Sequence, residues 1–221
     1  MNFNGDGYAL LPAVIARAAC AQAAAHVALA DPARGGTRCL LAQPWCAALA
    51  RQLRAHPALA HCLPPEYVAV QCNYFEKSAE RNWLVPIHQD LSIAVAGRVD
   101  APQLRGWSEK EGTQFVQAPL PVLEQLVALR LHLDDCGAAD GPLRVVPGSH
   151  RRGIIAQDDA AAARAAGQDV QVMAQAGDVL ALRPLLLHAS SKGSGTSRRR
   201  VLHMVFGPRA LPHGLAWAIT V

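Results

Sequence analysis

Short apolar or alternating segments recur along the last two thirds of the chain and predict β-strands. Glycine- and proline-containing turns such as Pro147-Gly148 and Gly177-Asp178 separate them. Many short strands at close spacing are typical of a β-sandwich or barrel. The predicted strands cover residues 67–75, 84–95, 126–134, 143–146, 179–182, 184–190 and 201–206.

The first third of the chain has a different pattern, which predicts helices. Residues 13–30 are rich in alanine and end before Asp31-Pro32, where a helix cannot continue. Residues 44–56 begin with a proline and place Leu49 and Leu53 four residues apart on one face, so they predict an amphipathic helix. These helices are expected to lie over the β-rich part of the chain.

The length and composition favour one domain with a substantial core. The chain has 221 residues, of which 51% are hydrophobic. We predict a single domain over residues 1–221. Within it, residues 1–65 are expected to form a helical cover and residues 66–221 the β-rich core.

The charge balance is mildly basic, with a formal net charge of +4 from 21 Lys and Arg against 17 Asp and Glu. The densest basic run, Arg198-Arg199-Arg200, has no interleaved aromatic residues, so no nucleic-acid partner is predicted. Six scattered cysteines indicate free thiols in a reducing compartment. No basic segment precedes the alanine-rich region and no apolar run has the length of a membrane span, so we expect a cytoplasmic protein without a membrane partner.

Two histidines and an aspartate in apolar surroundings carry the clearest chemical signal. If residues 84–95 form one strand, His88 and Asp90 share a face, because side chains two apart in a strand point the same way. Gln89 would then point away. With His188 they make a set of two histidines and one carboxylate, which leaves three positions open on an octahedral metal and suits non-haem Fe(II). The alternative is that His-x-Asp is a chance pair of polar residues.

Several motifs, in this order, resemble the phytanoyl-CoA dioxygenase family over roughly residues 66–207. They are VQCNYFEK at 70–77, PIHQD at 86–90, LDD at 133–135, GPLRVVPGSH at 141–150, GDV at 177–179 and then His188. The resemblance implies a mainly β fold with flanking helices and a double-stranded β-helix (jelly-roll) core. It also implies a mononuclear Fe(II) held by His88, Asp90 and His188, with 2-oxoglutarate and O2 as cosubstrates.

The resemblance further implies an arginine beyond the second histidine that binds the far carboxylate of 2-oxoglutarate as a bidentate fork. Three arginines compete for this role. Arg199 lies eleven residues after His188, which is similar to the family's spacing. Arg200 is the second choice, and Arg198 is expected in solvent.

Other polar residues are weaker candidates. Asn73 and Gln71 share one face of a strand that we place next to the metal strand, and they either hydrogen-bond 2-oxoglutarate or face water. Arg130 and His132 also share a face and are candidates for the pocket wall, although His132 fits equally well as a core histidine. His150 resembles a third ligand, but in the family its motif is a turn beside the site, so we expect a structural role.

The stretch 97–121 has no clear strand pattern, a polar centre and an isolated Trp107. A long loop in a compact domain is usually functional or disordered. We interpret it as a substrate lid, with a disordered insertion as the alternative.

Together these features predict an Fe(II)- and 2-oxoglutarate-dependent dioxygenase that hydroxylates a small molecule and releases succinate and CO2. Because related halogenases lack the carboxylate ligand, Asp90 favours hydroxylation over halogenation. Two alternatives stay open: a cupin-like metal enzyme that does not use 2-oxoglutarate, and a non-catalytic barrel that senses a metal or ligand. The substrate classes left open are an acyl-CoA, an amino acid and a secondary metabolite.

Overall fold

The computed structural model describes residues 2–27 and 35–221 of the chain. The strands are β1 (Tyr8–Leu11), β2 (Gly36–Thr37), β3 (Val68–Lys77), β4 (Val85–His88), β5 (Ser92–Val95), β6 (Arg105–Lys110), β7 (Thr113–Gln117), β8 (Val127–His132), β9 (Leu143–Val145), β10 (Val170–Val172), β11 (Val179–Leu182), β12 (His188–Ser190) and β13 (Arg199–Gly207). The α-helices are α1 (Phe3–Asp6), α2 (Arg17–His26), α3 (Pro44–Arg54), α4 (Leu120–Leu123) and α5 (Gln157–Ala166). Short 3₁₀ turns cover Leu40–Ala42, Pro57–Leu59, Ala138–Asp140 and Ser149–Arg152.

Two antiparallel sheets form the core. The larger has six strands in the order β1-β11-β8-β13-β3-β2, and the smaller has four in the order β10-β9-β12-β4. Side chains from both sheets line one cavity. A third sheet, in the order β5-β7-β6, stands beside them. The arrangement is a jelly-roll-like core, as the sequence predicted.

The six-stranded sheet has an apolar face and a cavity face, because side chains alternate along each strand. On β3, Cys72 and Tyr74 belong to the larger hydrophobic cluster, whereas Asn73 and Phe75 line the cavity. The alternation explains how one strand supplies both core packing and polar groups for a site.

The helices α2 and α3 pack into the same hydrophobic cluster as the apolar face of this sheet. The buried stripe of α3 consists of Cys46, Leu49, Ala50 and Leu53, at the spacing of one helix face. Pro44 occupies the first turn of α3, where its missing N–H has no intrahelical partner to lose. Helix α2 begins four residues later than predicted, at Arg17. The predicted end of that helix, near Asp31-Pro32, lies outside the described residues.

The prediction of one strand over residues 84–95 is wrong. Strand β4 ends at His88 and β5 begins at Ser92, and the two belong to different sheets. Asp90 lies in the connection between them. A period-two pattern of apolar residues continues across this change of sheet, so the break cannot be recognised from the pattern.

The prediction that residues 97–121 form a loop is also wrong. Strands β6 and β7 make an antiparallel hairpin that pairs with β5. Its turn is Glu111-Gly112, and both residues have positive φ, of 50° and 75°. Two-residue hairpin turns favour this conformation, but glutamate is rare in it, which hid the turn in the sequence.

The N-terminal segment contributes strands as well as helices. Strand β1 pairs with β11 and β2 pairs with β3, so both edges of the six-stranded sheet come from residues 1–65. The sequence pattern predicted a helical cover from this segment and not the two edges of the sheet. No helix within the described ranges is long and apolar enough to cross a membrane.

Candidate metal and cosubstrate site

A cavity of about 390 Å³ lies between the two sheets. His88 and His188 reach it from the four-stranded sheet, and Asn73, Arg130 and Arg199 from the six-stranded sheet. The cavity therefore brings together residues that are far apart in the sequence.

The two histidines are direct neighbours on adjacent strands. His188 on β12 pairs with His88 on β4, and their ring centroids are 4.3 Å apart. The Nδ1 atom of His88 lies 2.8 Å from the carbonyl oxygen of Pro86, and that of His188 lies 2.8 Å from the carbonyl oxygen of Leu186. Because a carbonyl oxygen only accepts, each Nδ1 carries the hydrogen and each Nε2 keeps a lone pair. Both imidazoles are thus oriented as ligands are in metal sites.

Asp90 faces both Nε2 atoms. Its carboxylate oxygens lie 3.7 Å from His88 Nε2 and 3.6 Å from His188 Nε2. Its backbone N–H donates to the carbonyl oxygen of Pro184 over 2.9 Å, which fixes the connection between β4 and β5. One ligand atom from each of the three side chains lies within 4.8 Å of the others, a spacing that can hold a metal ion.

Gln89 holds this connection in place, and its amide does not point at the His88, Asp90 and His188 side chains. Its Nε2 donates to the carbonyl oxygens of Leu185 and Gly153, at 2.6 and 2.9 Å. Its Oε1 accepts from the N–H of Ile155 at 2.8 Å. These three hydrogen bonds from the Gln89 side chain to the backbone hold Asp90 in place beside His88, although Asp90 does not lie on a strand.

His203 was missed as part of this cluster. It lies on β13, and its Nε2 is 3.6 Å from Asp90 Oδ2. The sequence showed only that His203 shares a face with Arg199. Its Nδ1 is buried and no described residue hydrogen-bonds it.

The electrostatic surroundings favour an ionised Asp90 carboxylate and neutral rings at His188 and His203. Burial would lower the pKa of His88, but its hydrogen bond to the Asp90 carboxylate and the charge of that group outweigh burial and raise this pKa. Burial would raise the pKa of Asp90, but the imidazoles of His188, His88 and His203 outweigh it and hold this pKa well below its usual range. Burial lowers the pKa of His188, and it lowers that of His203 to about 4. A neutral imidazole is the form that binds a metal.

The three consecutive arginines have different surroundings. Arg199 is 2% exposed and lines the cavity, where its Nη1 donates to the carbonyl oxygen of Gly141 at 2.8 Å and its Nε has no partner in the described structure. Arg200 instead forms a two-point pair with Asp134, with both N–O distances 2.7 Å. Arg200 is therefore already occupied.

Arg198 also has a partner, although it is half exposed. It forms a two-point pair with Glu76, at 2.9 and 3.0 Å. Of the three arginines, Arg199 alone combines burial in the cavity with an unpaired N–H group in the part of the chain that the structure describes.

Ser190 lines the cavity beside Arg199, and Lys77 contacts Ser190; neither residue was predicted from the sequence. Ser190 Oγ donates to the Gly141 carbonyl oxygen that Arg199 also contacts, at 2.8 Å. Lys77 Nζ donates to Ser190 Oγ at 2.6 Å, and burial followed by repulsion from Arg199 and Arg130 lowers the pKa of Lys77 to about 7. Ser190 lies two residues after His188 and so shares its face, a signal that strand alternation contains.

Gly141 is required where it stands. Its φ is 63°, and a Cβ there would lie 2.5 Å from the carbonyl oxygen of Ser191. A side chain at this position would therefore displace residue 141 and with it the Gly141 carbonyl group, which accepts from both Ser190 and Arg199.

The remaining candidates divide clearly. Asn73, Gln71 and Arg130 line the cavity. Their strands belong to the six-stranded sheet, so the prediction that Asn73 and Gln71 lie beside the metal strand is wrong, and they face it across the cavity. His132 is 1% exposed and does not line the cavity. His150 contacts the carbonyl oxygen of Asn4 at 3.2 Å and is also outside the cavity.

A jelly-roll core that holds two histidines and a carboxylate in one cavity is the architecture of mononuclear non-haem metal enzymes. The family model described as phytanoyl-CoA dioxygenase matches residues 3–201. The chain belongs to the phytanoyl-CoA dioxygenase family, and the predicted family is confirmed. It is therefore an enzyme of the Fe(II)- and 2-oxoglutarate-dependent class.

Solved structures share the fold at low sequence identity. AviO1 from Streptomyces viridochromogenes is 24% identical, with 96% of this chain and 94% of that chain covered and a TM-score of 0.63. HygX from Streptomyces hygroscopicus, solved with nickel and 2-oxoglutarate bound, is 17% identical, with 93% and 84% covered and a TM-score of 0.64. The non-haem α-ketoglutarate-dependent epimerase SnoN from nogalamycin biosynthesis is 15% identical, with 98% and 85% covered and a TM-score of 0.62. A search of curated proteins gave no match.

Proposed function

We propose that the protein is a hydroxylase that uses Fe(II), 2-oxoglutarate and O2 to oxidise a small molecule. The observation that carries the proposal is that one cavity holds both the cluster His88, Asp90 and His188 and the buried Arg199, whose Nε has no partner among the described residues. The cluster can hold the metal, and Arg199 can bind the far carboxylate of 2-oxoglutarate.

The donor set suits Fe(II). Two neutral imidazoles and one carboxylate neutralise only part of the charge of a divalent cation and leave coordination positions for a cosubstrate and O2. The carbonyl groups of Pro86 and Leu186 fix the two rings, so little reorientation is needed when a metal binds.

The opposite end of the cavity suits a dicarboxylate. Arg199 offers a charged N–H group, and the Gly141 carbonyl oxygen, which accepts from both Arg199 and Ser190, holds its guanidinium in place. We propose that Asn73 and Gln71 contact the cosubstrate from β3. The Oδ1 atom of Asn73 is buried without a partner among the described residues, and because 2-oxoglutarate has no donor group, this atom can reach the cosubstrate only through a bridging water.

When bound, Fe(II) and 2-oxoglutarate supply the oxidising chemistry: O2 is consumed, succinate and CO2 are released, and a C–H bond of the substrate is oxidised. The protein binds and orients 2-oxoglutarate and the substrate, and it excludes water from the cavity. The presence of Asp90 supports hydroxylation over halogenation, in which a halide takes the place of this carboxylate. Phe75, Trp83 and Phe115 give the cavity aromatic walls for a small organic substrate.

A direct test of this proposal is to add Fe(II) and 2-oxoglutarate without oxygen. We expect a visible charge-transfer band, because the 2-oxo acid binds the metal directly, and a slow release of succinate once air is admitted. Absorption spectra and succinate quantification measure the two effects. If neither appears in metal-loaded protein, 2-oxoglutarate is not the cosubstrate.

That outcome would favour a second candidate function, a cupin-like metal enzyme that needs no 2-oxoglutarate. The position of His203 gives it some support, because such enzymes often use an additional histidine and His203 Nε2 lies beside Asp90. The buried Arg199 would have no assigned role in such an enzyme, which is why we place it second.

We also propose that the hairpin β6–β7 is a cover over the substrate. Its residues Lys110 and Phe115 line the cavity. Its turn is hydrogen-bonded to the N-terminal segment. The Glu111 carboxylate accepts from Thr37 Oγ1 at 2.9 Å and from the Arg38 backbone N–H at 2.8 Å. Opening the cavity on this side requires these two bonds to break.

We expect trypsin to cut the hairpin at Lys110 more slowly once Fe(II) and 2-oxoglutarate are bound, because a filled cavity favours the closed position. The variant Glu111→Ala should be cut faster than the wild type, since it lacks the two hydrogen bonds between the turn and the N-terminal segment. Mass spectrometry of the fragments measures both rates. Rates that neither the ligands nor the substitution change would show that the hairpin does not act as a cover.

A further inference from the structure

Arg130 is a buried arginine at the centre of the six-stranded sheet. It lies on β8, directly opposite His203 on β13 and Leu180 on β11. It is 7% exposed, and it lines the same cavity as Arg199. A buried arginine on a central strand normally has a carboxylate partner.

No carboxylate pairs with Arg130 in the described part of the chain. Its Nε is buried without a hydrogen-bond partner, and its guanidinium carbon lies 5.9 Å from the ring centre of Phe75. Burial, together with the nearby charge of Arg199, lowers the pKa of Arg130 to about 9. The arginine therefore remains charged near neutral pH, at a cost that its protein surroundings do not offset.

Arg199 has the same deficit. It contacts one carbonyl oxygen but no carboxylate, and its Nε is also unpaired within residues 2–27 and 35–221. Among the residues that the structure describes, Asp90 is the one carboxylate that lines the cavity, and it faces His88 and His188. Two buried guanidinium groups thus face one cavity in which no described residue supplies a free anion.

We propose that Arg130 is a second carboxylate-binding arginine, which holds the far carboxylate of 2-oxoglutarate together with Arg199. A carboxylate has about four lone-pair positions, so it can accept hydrogen bonds from two guanidinium groups at once. The inference rests on the proposed function, because it requires 2-oxoglutarate to occupy this cavity. It adds to that function a two-arginine site that selects dicarboxylic over monocarboxylic 2-oxo acids.

The test compares two 2-oxo acids that differ at the far end. 2-Oxoglutarate has the far carboxylate, and 2-oxobutyrate lacks it while keeping the 2-oxo acid group. Anaerobic calorimetry on Fe(II)-loaded protein measures the Kd of each for the wild type and for Arg130→Met. We expect Arg130→Met to raise the Kd for 2-oxoglutarate by about tenfold or more. The Kd for 2-oxobutyrate should change by less than about twofold.

A matched control removes one positive charge from the same sheet but outside the cavity. Arg200 lies on β13, next to β8, and is paired with Asp134; neither residue lines the cavity. Arg200→Met should therefore leave both Kd values within about twofold of the wild type. A second substitution, Arg130→Gln, repeats the measurement with a polar side chain in case the methionine disturbs packing against Phe75.

The outcomes separate the possible roles of Arg130. An equal rise in the Kd values for both acids would mean that Arg130 supports the structure of the cavity and binds no carboxylate. Unchanged binding of 2-oxoglutarate would overturn the inference while leaving the proposed function intact. Failure of the wild type to bind 2-oxoglutarate at all would instead contradict the proposed function.

Discussion

Replacing Asp90 by alanine is expected to remove bound iron almost completely while leaving the protein folded. Asp90 supplies the one negative charge among the three side chains that can hold the metal, and loss of a supporting group alone typically costs about 10- to 100-fold in metal affinity. Loss of a ligand itself should cost more. The Asp90 side chain is 39% exposed, so its truncation leaves no large cavity in the core. Iron content per protein, measured after gel filtration, checks the expectation.

The same measurement on other histidines tests the assignment of the cluster. His88→Ala and His188→Ala should also lose iron, whereas His150→Ala should retain it, because His150 lies outside the cavity. Circular dichroism shows which variants are folded. Retention of iron by Asp90→Ala together with its loss from His150→Ala would refute the proposed metal site.

Replacing Arg199 by alanine should weaken 2-oxoglutarate binding by about thirtyfold or more, since truncating one partner of a buried charged pair typically costs about 2–5 kcal/mol. Iron binding should persist, because Arg199 is not part of the metal cluster. Titration of the charge-transfer band with 2-oxoglutarate gives the Kd of each variant.

Arg200→Ala is the matched control for this prediction. Arg200 carries the same charge one residue away but is paired with Asp134 outside the cavity. It should reduce stability slightly and leave the Kd for 2-oxoglutarate near that of the wild type. A larger loss of binding in Arg200→Ala than in Arg199→Ala would show that the cosubstrate contacts a different arginine.

The metal cluster could be predicted from the sequence because its signals are local. His88 and Asp90 lie two residues apart, and His188 lies in another apolar segment. The reason given for their proximity was wrong, however, since Asp90 is not on a strand. Three bonds from the Gln89 side chain to backbone, together with the bond from the Asp90 N–H to Pro184, hold the carboxylate in place. Such long-range contacts leave no periodic pattern in the sequence.

The pairing of His203 with Arg130 shows why the rest of the cavity could be predicted only in part: Arg130 was a candidate for the pocket wall, but His203 was not. They are neighbours because β8 and β13 pair with Arg130 opposite His203. Strand alternation assigns each residue to a face, but the order of strands in a sheet depends on the packing of the whole domain. The hairpin β6–β7 was missed for a related reason, since β6 is mostly polar and lies largely at the surface.

The run Arg198-Arg199-Arg200 shows how a strand divides a local concentration of charge. Arg198 is paired with Glu76, which also pairs with Arg81; Arg200 is paired with Asp134, and Arg199 faces inward. The most basic stretch of the chain therefore adds little to the electrostatic potential of the outer surface. Because Arg199 is buried, the folded protein should be retained in cation-exchange chromatography less strongly than a protein of the same net charge whose basic side chains all lie at the surface.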